Sequence, residues 1–159
     1  MHQTRNDLAR AIRAKVIDLL DARLADAIDL QTQLKQAHWN VKGPTFIGLH
    51  ELFDKINEAV EDYVDDLAER VVQLGGVAHG TARQAAKRST LPEFPGVTSC
   101  HDHVEAVATV LATFGKLARA GIDRADKLGD KDTADLFTEI SRGVDKWLWF
   151  VEAHLQADR

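Results

Sequence analysis

The sequence predicts an all-α fold: a four-helix bundle with one long crossover connection carrying a short extra helix. Three observations predict it. Apolar residues recur at three- and four-residue steps almost throughout, the Gly and Pro breakers gather in three places, and the middle break is far longer than the others. Three breaks leave four long helices, and one long link between two short ones is the connectivity of a bundle with a single crossover. At 159 residues the chain is expected to form a single domain, 1–159, with a core that needs no staples.

In the first helix Ile12, Val16, Leu19, Leu20, Leu24, Ala27, Ile28 and Leu34 keep the helical step until Gly43-Pro44 stops the run. Thr45 is then the expected cap of a second helix that runs to Leu74, where Gly75-Gly76 suits a left-handed C-terminal turn. Its apolar stripe is Leu49, Leu52, Phe53, Ile56, Val60, Tyr63, Val64, Leu67 and Val71. Gly80, Pro92, Pro95 and Gly96 mark the crossover, with a short helix expected from Thr81 to Arg88. Thr98 or Ser99 caps a third long helix with the stripe Val104, Val107, Leu111, Phe114, Leu117, Gly121 and Ile122, ending near Gly129. Asp130 or Asp132 caps the last, whose Phe137, Ile140, Val144, Trp147, Val151 and Leu155 form a bundle seam.

Composition narrows the function. A content of 45% hydrophobic and 28% charged residues, with three prolines, excludes disordered and low-complexity classes. The net charge of −5 disfavours a surface made as a whole to coat nucleic acid. The single cysteine, Cys100, excludes an intrachain disulfide and a Cys-cluster zinc site and suits a reducing cytosol. No apolar signal core opens the chain and no stretch reaches the ~18 apolar residues of a membrane span, so a cytoplasmic location and no membrane partner are expected.

The polar residues of the second helix carry the chemistry. With His50 at zero and ~100° per residue, Asp54 lies at about 40°, Asp65 at about 60° and Glu69 at about 100°. The apolar stripe covers roughly 200° to 320°, so these four share a separate arc. An arc rich in Asp and Glu is most simply a solvated face. Two i,i+4 pairs of metal-ligand types on one arc point instead to a metal, because like charges at that spacing disfavour a free helix. Asp54 and Asp65 are eleven residues apart, about 16 Å along the helix, too far to share an ion whose ligands sit roughly 2 Å from it. Either the pairs serve unrelated sites, or an antiparallel second copy brings Asp65 and Glu69 to His50 and Asp54 about a two-fold axis near residues 59 to 60. His38, across the Gly43-Pro44 turn, adds a second imidazole at the same edge. Mixed nitrogen and carboxylate ligands with open positions suit iron oxidation better than structural zinc.

Lys35-Gln36-Ala37-His38-Trp39-Asn40, Gly43-Pro44-x-Phe46-Ile47, His50-x-x-x-Asp54, Asp65-x-x-x-Glu69-Arg70 and Gln73-Leu74-Gly75-Gly76 together resemble the Dps mini-ferritins, the bacterial DNA-protection-during-starvation proteins. Thr133-Ala134-Asp135, Ser141-Arg142, Asp145-Lys146 and Leu148-Trp149-Phe150 extend the resemblance into the last helix, so it covers nearly the whole chain. It implies a ferritin-like bundle and a dodecameric hollow shell that oxidises Fe(II), preferentially with hydrogen peroxide, and stores ferric iron inside. It also implies ferroxidase ligands His38, His50 and Asp54 from one subunit with Asp65 and Glu69 from its two-fold mate. The Glu-x-x-His pair of larger ferritins is absent from the second helix.

The resemblance further implies acidic three-fold pores, for which Asp126 and Asp135 are the candidates; the plainer reading of the aspartates from Asp123 to Asp135 is helix caps and solvated turns. Trp39 either packs a subunit interface, the preferred reading, or quenches stray oxidising equivalents. His101 and His103, two apart on a helix and pointing about 200° away from each other, read as surface residues, and His79, His154 and Cys100 as ordinary ones unless the fold gives them partners. The Lys-rich N-terminal tail of several relatives is missing, because Arg10, Arg13 and Lys15 fall within the first helix. Arg5, Arg83, Lys87 and Arg88 remain for phosphate contacts. The alternative function is therefore a nucleoid-associated DNA-binding protein with a secondary metal site, and a third is a helical assembly holding zinc or manganese structurally.

Overall fold

The computed structural model describes residues 1–156. Among these the chain forms α1 (Arg10–Asn40), α2 (Phe46–Gln73), α3 (Ala82–Arg88), α4 (Cys100–Leu128) and α5 (Lys131–Glu152). α1 pairs with α2 and α4 with α5; α1 joins the pairs by packing on α4, and α3 lies on α1. The breaks fall where the sequence puts them, with one revision at the end of α5: Leu155 lies beyond the helix.

The helix ends follow from local chemistry. At the end of α2 the Gly76 N–H donates to the Val71 carbonyl and the Gly75 N–H to the Val72 carbonyl, both at 2.9 Å, the nested pair that closes a helix when the next residue turns left-handed. Gly75 does so at φ +85°, and a Cβ there would meet the His2 carbonyl oxygen at 2.8 Å. The Ser99 hydroxyl accepts from the Asp102 N–H, and the Asp130 carboxylate accepts from the Thr133 N–H, so Ser99 and Asp130 are the caps of α4 and α5. Thr45 occupies the N-cap position of α2 without a side-chain bond; the backbone turn Phe46 N–H to Gly43 carbonyl, 3.1 Å, serves there instead.

The core is continuous, with Leu20, Leu30, Leu34, Phe53, Ile56, Leu67, Leu111, Phe114 and Phe137 almost wholly shielded. Each such side chain contributes about 1.5–3 kcal/mol when buried. Leu52, Tyr63 and Val64 of the α2 stripe are half-buried, and Asn57, which the stripe left out, is buried. Buried polar groups fasten the crossover to α1: Asp26 Oδ1 accepts from the Thr90 N–H at 2.7 Å, and Asp26 Oδ2 pairs with Arg23 at 2.9 Å.

The N-terminal segment is also fastened. The His2 N–H donates to the Gly75 carbonyl at 2.7 Å. Arg13, only 8% exposed, donates from Nη1 to the Leu74 carbonyl at 2.9 Å and from Nε to the Leu8 carbonyl at 3.0 Å. Arg13 therefore satisfies the end of α2 and is removed from the set available to phosphate. No helix of the described residues is long and apolar enough to cross a membrane.

Candidate metal centre

The α1–α2 turn builds one edge of the site. Gly43 turns at φ +138°, where a Cβ would come 3.0 Å from Cys100 Sγ, and Lys42 forms a bridge with Ser99 at the start of α4. The end of α1 is thus folded back beside the start of α2 and held against α4.

This places His38 on His50, with ring centroids 3.7 Å apart and planes 22° apart. The two rings lie within hydrogen-bond reach of each other's backbone: His38 Nδ1 is 2.7 Å from the His50 carbonyl oxygen, and His50 Nδ1 is 2.8 Å from that of His38. A carbonyl only accepts, so each Nδ1 carries a proton and Nε2 is the ring nitrogen turned away from the backbone bond. A ring fixed in this way through its other nitrogen is the usual form of a metal-binding histidine. Asp54 completes the edge. Lys35 Nζ donates to its Oδ1 at 2.6 Å, and that bond, supported by the nearby His38 and His50, holds the carboxyl below its ordinary value of 3.8 against the opposing effect of burial.

Asp65 and Glu69 lie farther along α2, exposed to solvent and without side-chain hydrogen bonds or ion pairs among the described residues. No group of three or more His, Cys, Asp and Glu side chains converges to hold a metal ion within the described residues. The chain thus stacks His38 on His50, with Asp54 one turn further along α2 and Asp65 and Glu69 farther off. Beside the latter, Asp66 has its carboxyl pushed up by burial and then by Glu139, Asp62 and Asp65.

Two exposed apolar residues lie on the same arc of α2, at about 60° and 40°: Ile47, 60% exposed, and Val72, 58% exposed. His50 with Glu69, Asp54 with Asp65, and Ile47 with Val72 all have one midpoint, between Ala59 and Val60. A single two-fold axis there would set all three pairs opposite one another.

A ferritin-like domain model matches residues 17–159. A protein of Agrobacterium fabrum named DNA protection during starvation protein is 44% identical over 98% of this chain and 96% of its own length. The chain belongs to the Dps mini-ferritin family. Among solved structures, Mycobacterium smegmatis Dps superposes with TM-score 0.92 at 34% identity, covering 98% of this chain and 95% of that one. DpsC from Streptomyces coelicolor gives 0.93 at 31%, covering 99% and 92%. The all-helical fold of this chain is accordingly the ferritin-like fold of Dps proteins.

The other polar clusters of this Dps chain resolve into distinct roles. Asp126 and Asp135 are both exposed near the α4–α5 corner, Asp126 paired with Lys131. Asp130 is 2% exposed and is a cap, as the plainer reading held. His103 is a correction: it is wholly buried, its Nδ1 2.8 Å from the Ser99 carbonyl oxygen, because it stands on the apolar side of α4. His101 is exposed. His79 does find a partner: its Nδ1 bonds Asp21 Oδ2 at 2.8 Å and ties the crossover to α1. Trp39 is 67% exposed. The sequence reading gave Lys35 no role, although its place one turn before His38 was the available signal.

Proposed function

We propose that this chain is an iron-storage and detoxification protein that oxidises Fe(II) at sites shared between subunits and keeps the ferric product inside a hollow homo-oligomeric shell, a dodecamer. The observation that carries the reading is the common midpoint of the ligand pairs on α2. His38, His50 and Asp54 of one subunit and Asp65 and Glu69 of its two-fold mate would form each site, with iron as the substrate. Three carboxylates offset the charge gained as iron goes from ferrous to ferric, while two neutral imidazoles fix its place. With hydrogen peroxide as oxidant, two Fe(II) give one electron each, the O–O bond breaks, and two protons complete two waters. That route releases no hydroxyl radical. Asp126 and Asp135 are the proposed cation entry, where a negative field would draw Fe(II) inward. A cytoplasmic setting fits the single cysteine.

The reading that gives DNA binding first place is less well supported, because Arg13 is spent inside the fold and the N-terminal segment is held on the α2–α3 turn. Retardation of plasmid in a gel at physiological salt would favour it.

The direct test replaces both distal acids. Asp65→Asn with Glu69→Gln should slow peroxide-driven Fe(II) oxidation by about a hundredfold, a loss in the range for removing essential charge stabilisation, while native mass shows the shell intact. Mixed with a His38→Ala, His50→Ala variant under subunit exchange, it should recover part of the activity. Unchanged oxidation in the first variant removes the proposed site.

A further inference from the structure

Among the described residues Glu69 and Asp65 have no side-chain partner, so their direction depends on how α2 is turned. Arg70, the next residue, ties this end of α2 to a neighbouring element. It lies about 100° round the helix from Glu69, with its side chain 13% exposed, and reaches the α4–α5 corner. Its Nη2 donates to Asp130 Oδ1 at 2.9 Å and its Nε to Thr133 Oγ1 at 3.0 Å. Its Nη1 contacts Gln73 Oε1 at 3.3 Å, and Asp132 lies 3.8 Å from Nη2. The two main acceptors are themselves fixed: Asp130 caps α5 through the Thr133 N–H, and the Thr133 hydroxyl donates to Asp130 Oδ2 at 2.6 Å. A planar guanidinium held by two atoms of one rigid corner permits little rotation of the residue that carries it.

We infer that Arg70 is a positioning residue for the metal site, and that the site it serves is the one completed by the neighbouring subunit. The inference rests on the shared-site reading above. Arg70 does not donate charge to the metal, since Asp130 pairs with it in the interior. Its contribution is to aim Asp65 and Glu69 outward toward the second copy's histidines. Supporting residues of this kind commonly change metal affinity 10- to 100-fold.

Co(II) is the probe, because it binds without turnover and its visible absorption reports the site. In the full-length assembled protein, Arg70→Ala should weaken Co(II) binding about tenfold with native mass unchanged, and Arg70→Lys, which reaches only one acceptor, should fall between. Asp130→Asn keeps the cap of α5 but removes the charge facing Arg70, and should follow Arg70→Ala; with Arg70→Lys it carries the test if Arg70→Ala does not assemble. Subunit mixing separates positioning from general damage. Mixed with His38→Ala, His50→Ala, the Arg70→Ala chain should restore tight sites, because those sites take their acids from a chain that retains Arg70. Mixed with Asp65→Asn, Glu69→Gln, it should not. Wild-type affinity in all three single variants, or equal recovery in both mixtures, overturns the inference. Failure of the two ligand variants to restore any site when mixed with each other sinks the shared-site reading itself.

Discussion

In the proposed half-site Lys35 is the cation that pairs with Asp54. Its ammonium stands on Asp54 at 2.6 Å and supplies the positive charge that an ion would bring. Lys35→Met should therefore tighten Co(II) binding, because the cation no longer meets a like charge. Its effect on stability should stay small: the pair is 31% and 39% exposed, and exposed pairs contribute about 0–1 kcal/mol. The sign with pH follows from Asp54. Its carboxyl is lowered in the folded chain, so the bond stabilises above the ordinary value of 3.8 and fades as pH falls through the lowered one. Denaturant midpoints of the two proteins should differ slightly at pH 7 and converge in stronger acid; a gap that widens in acid would contradict this. The shared arc of His50, Asp54, Asp65 and Glu69 was legible in the sequence because side chains at helical spacing keep their relative directions on any α-helix. Lys35 as partner and the crossed carbonyl bonds of His38 and His50 were not, since both depend on how α1 and α2 face each other.

Between elements, two side chains of α2 reach toward α5. One is Arg70 at the corner; the other is Tyr63, half-buried, whose phenol lies where a Cβ on Gly143 would stand. Burial, followed by Glu139 and Asp62, raises the Tyr63 phenol above its ordinary value, against a smaller opposing effect of Trp147. Gly143→Ala should displace the ring and destabilise the fold by about 1–3 kcal/mol, the usual cost of overpacking, seen as a lower denaturant midpoint. Tyr63→Leu in the same chain should recover part of that loss by removing the clash. The helices and the crossover were readable because apolar period and Gly-Pro breaks act locally. Gly143 was not, because nothing within α5 calls for a glycine there; the reason lies on α2. The same holds for His103 and His79, whose surroundings are set by Phe94 in the crossover and Asp21 on α1.

For the whole molecule the question is whether two copies meet in the register that the proposed ligand pairs require. Ile47 and Val72 test this without touching a ligand, since each is exposed, apolar and centred on the same midpoint as the ligand pairs. Burying them would contribute about 1.5–3 kcal/mol per side chain, and a two-fold contact counts each pair twice. Ile47→Glu alone should set a carboxylate against the second copy's valine, leave it without a partner, and shift the protein toward smaller species in native mass. Val72→Lys alone should do the same with an ammonium. Together in one chain, Ile47→Glu and Val72→Lys place opposite charges across both halves of the contact, so assembly and Fe(II) oxidation should return together. A double variant no better assembled than either single one would mean that α2 does not lie against a second α2 centred between Ala59 and Val60. The distal acids would then have no histidines to meet.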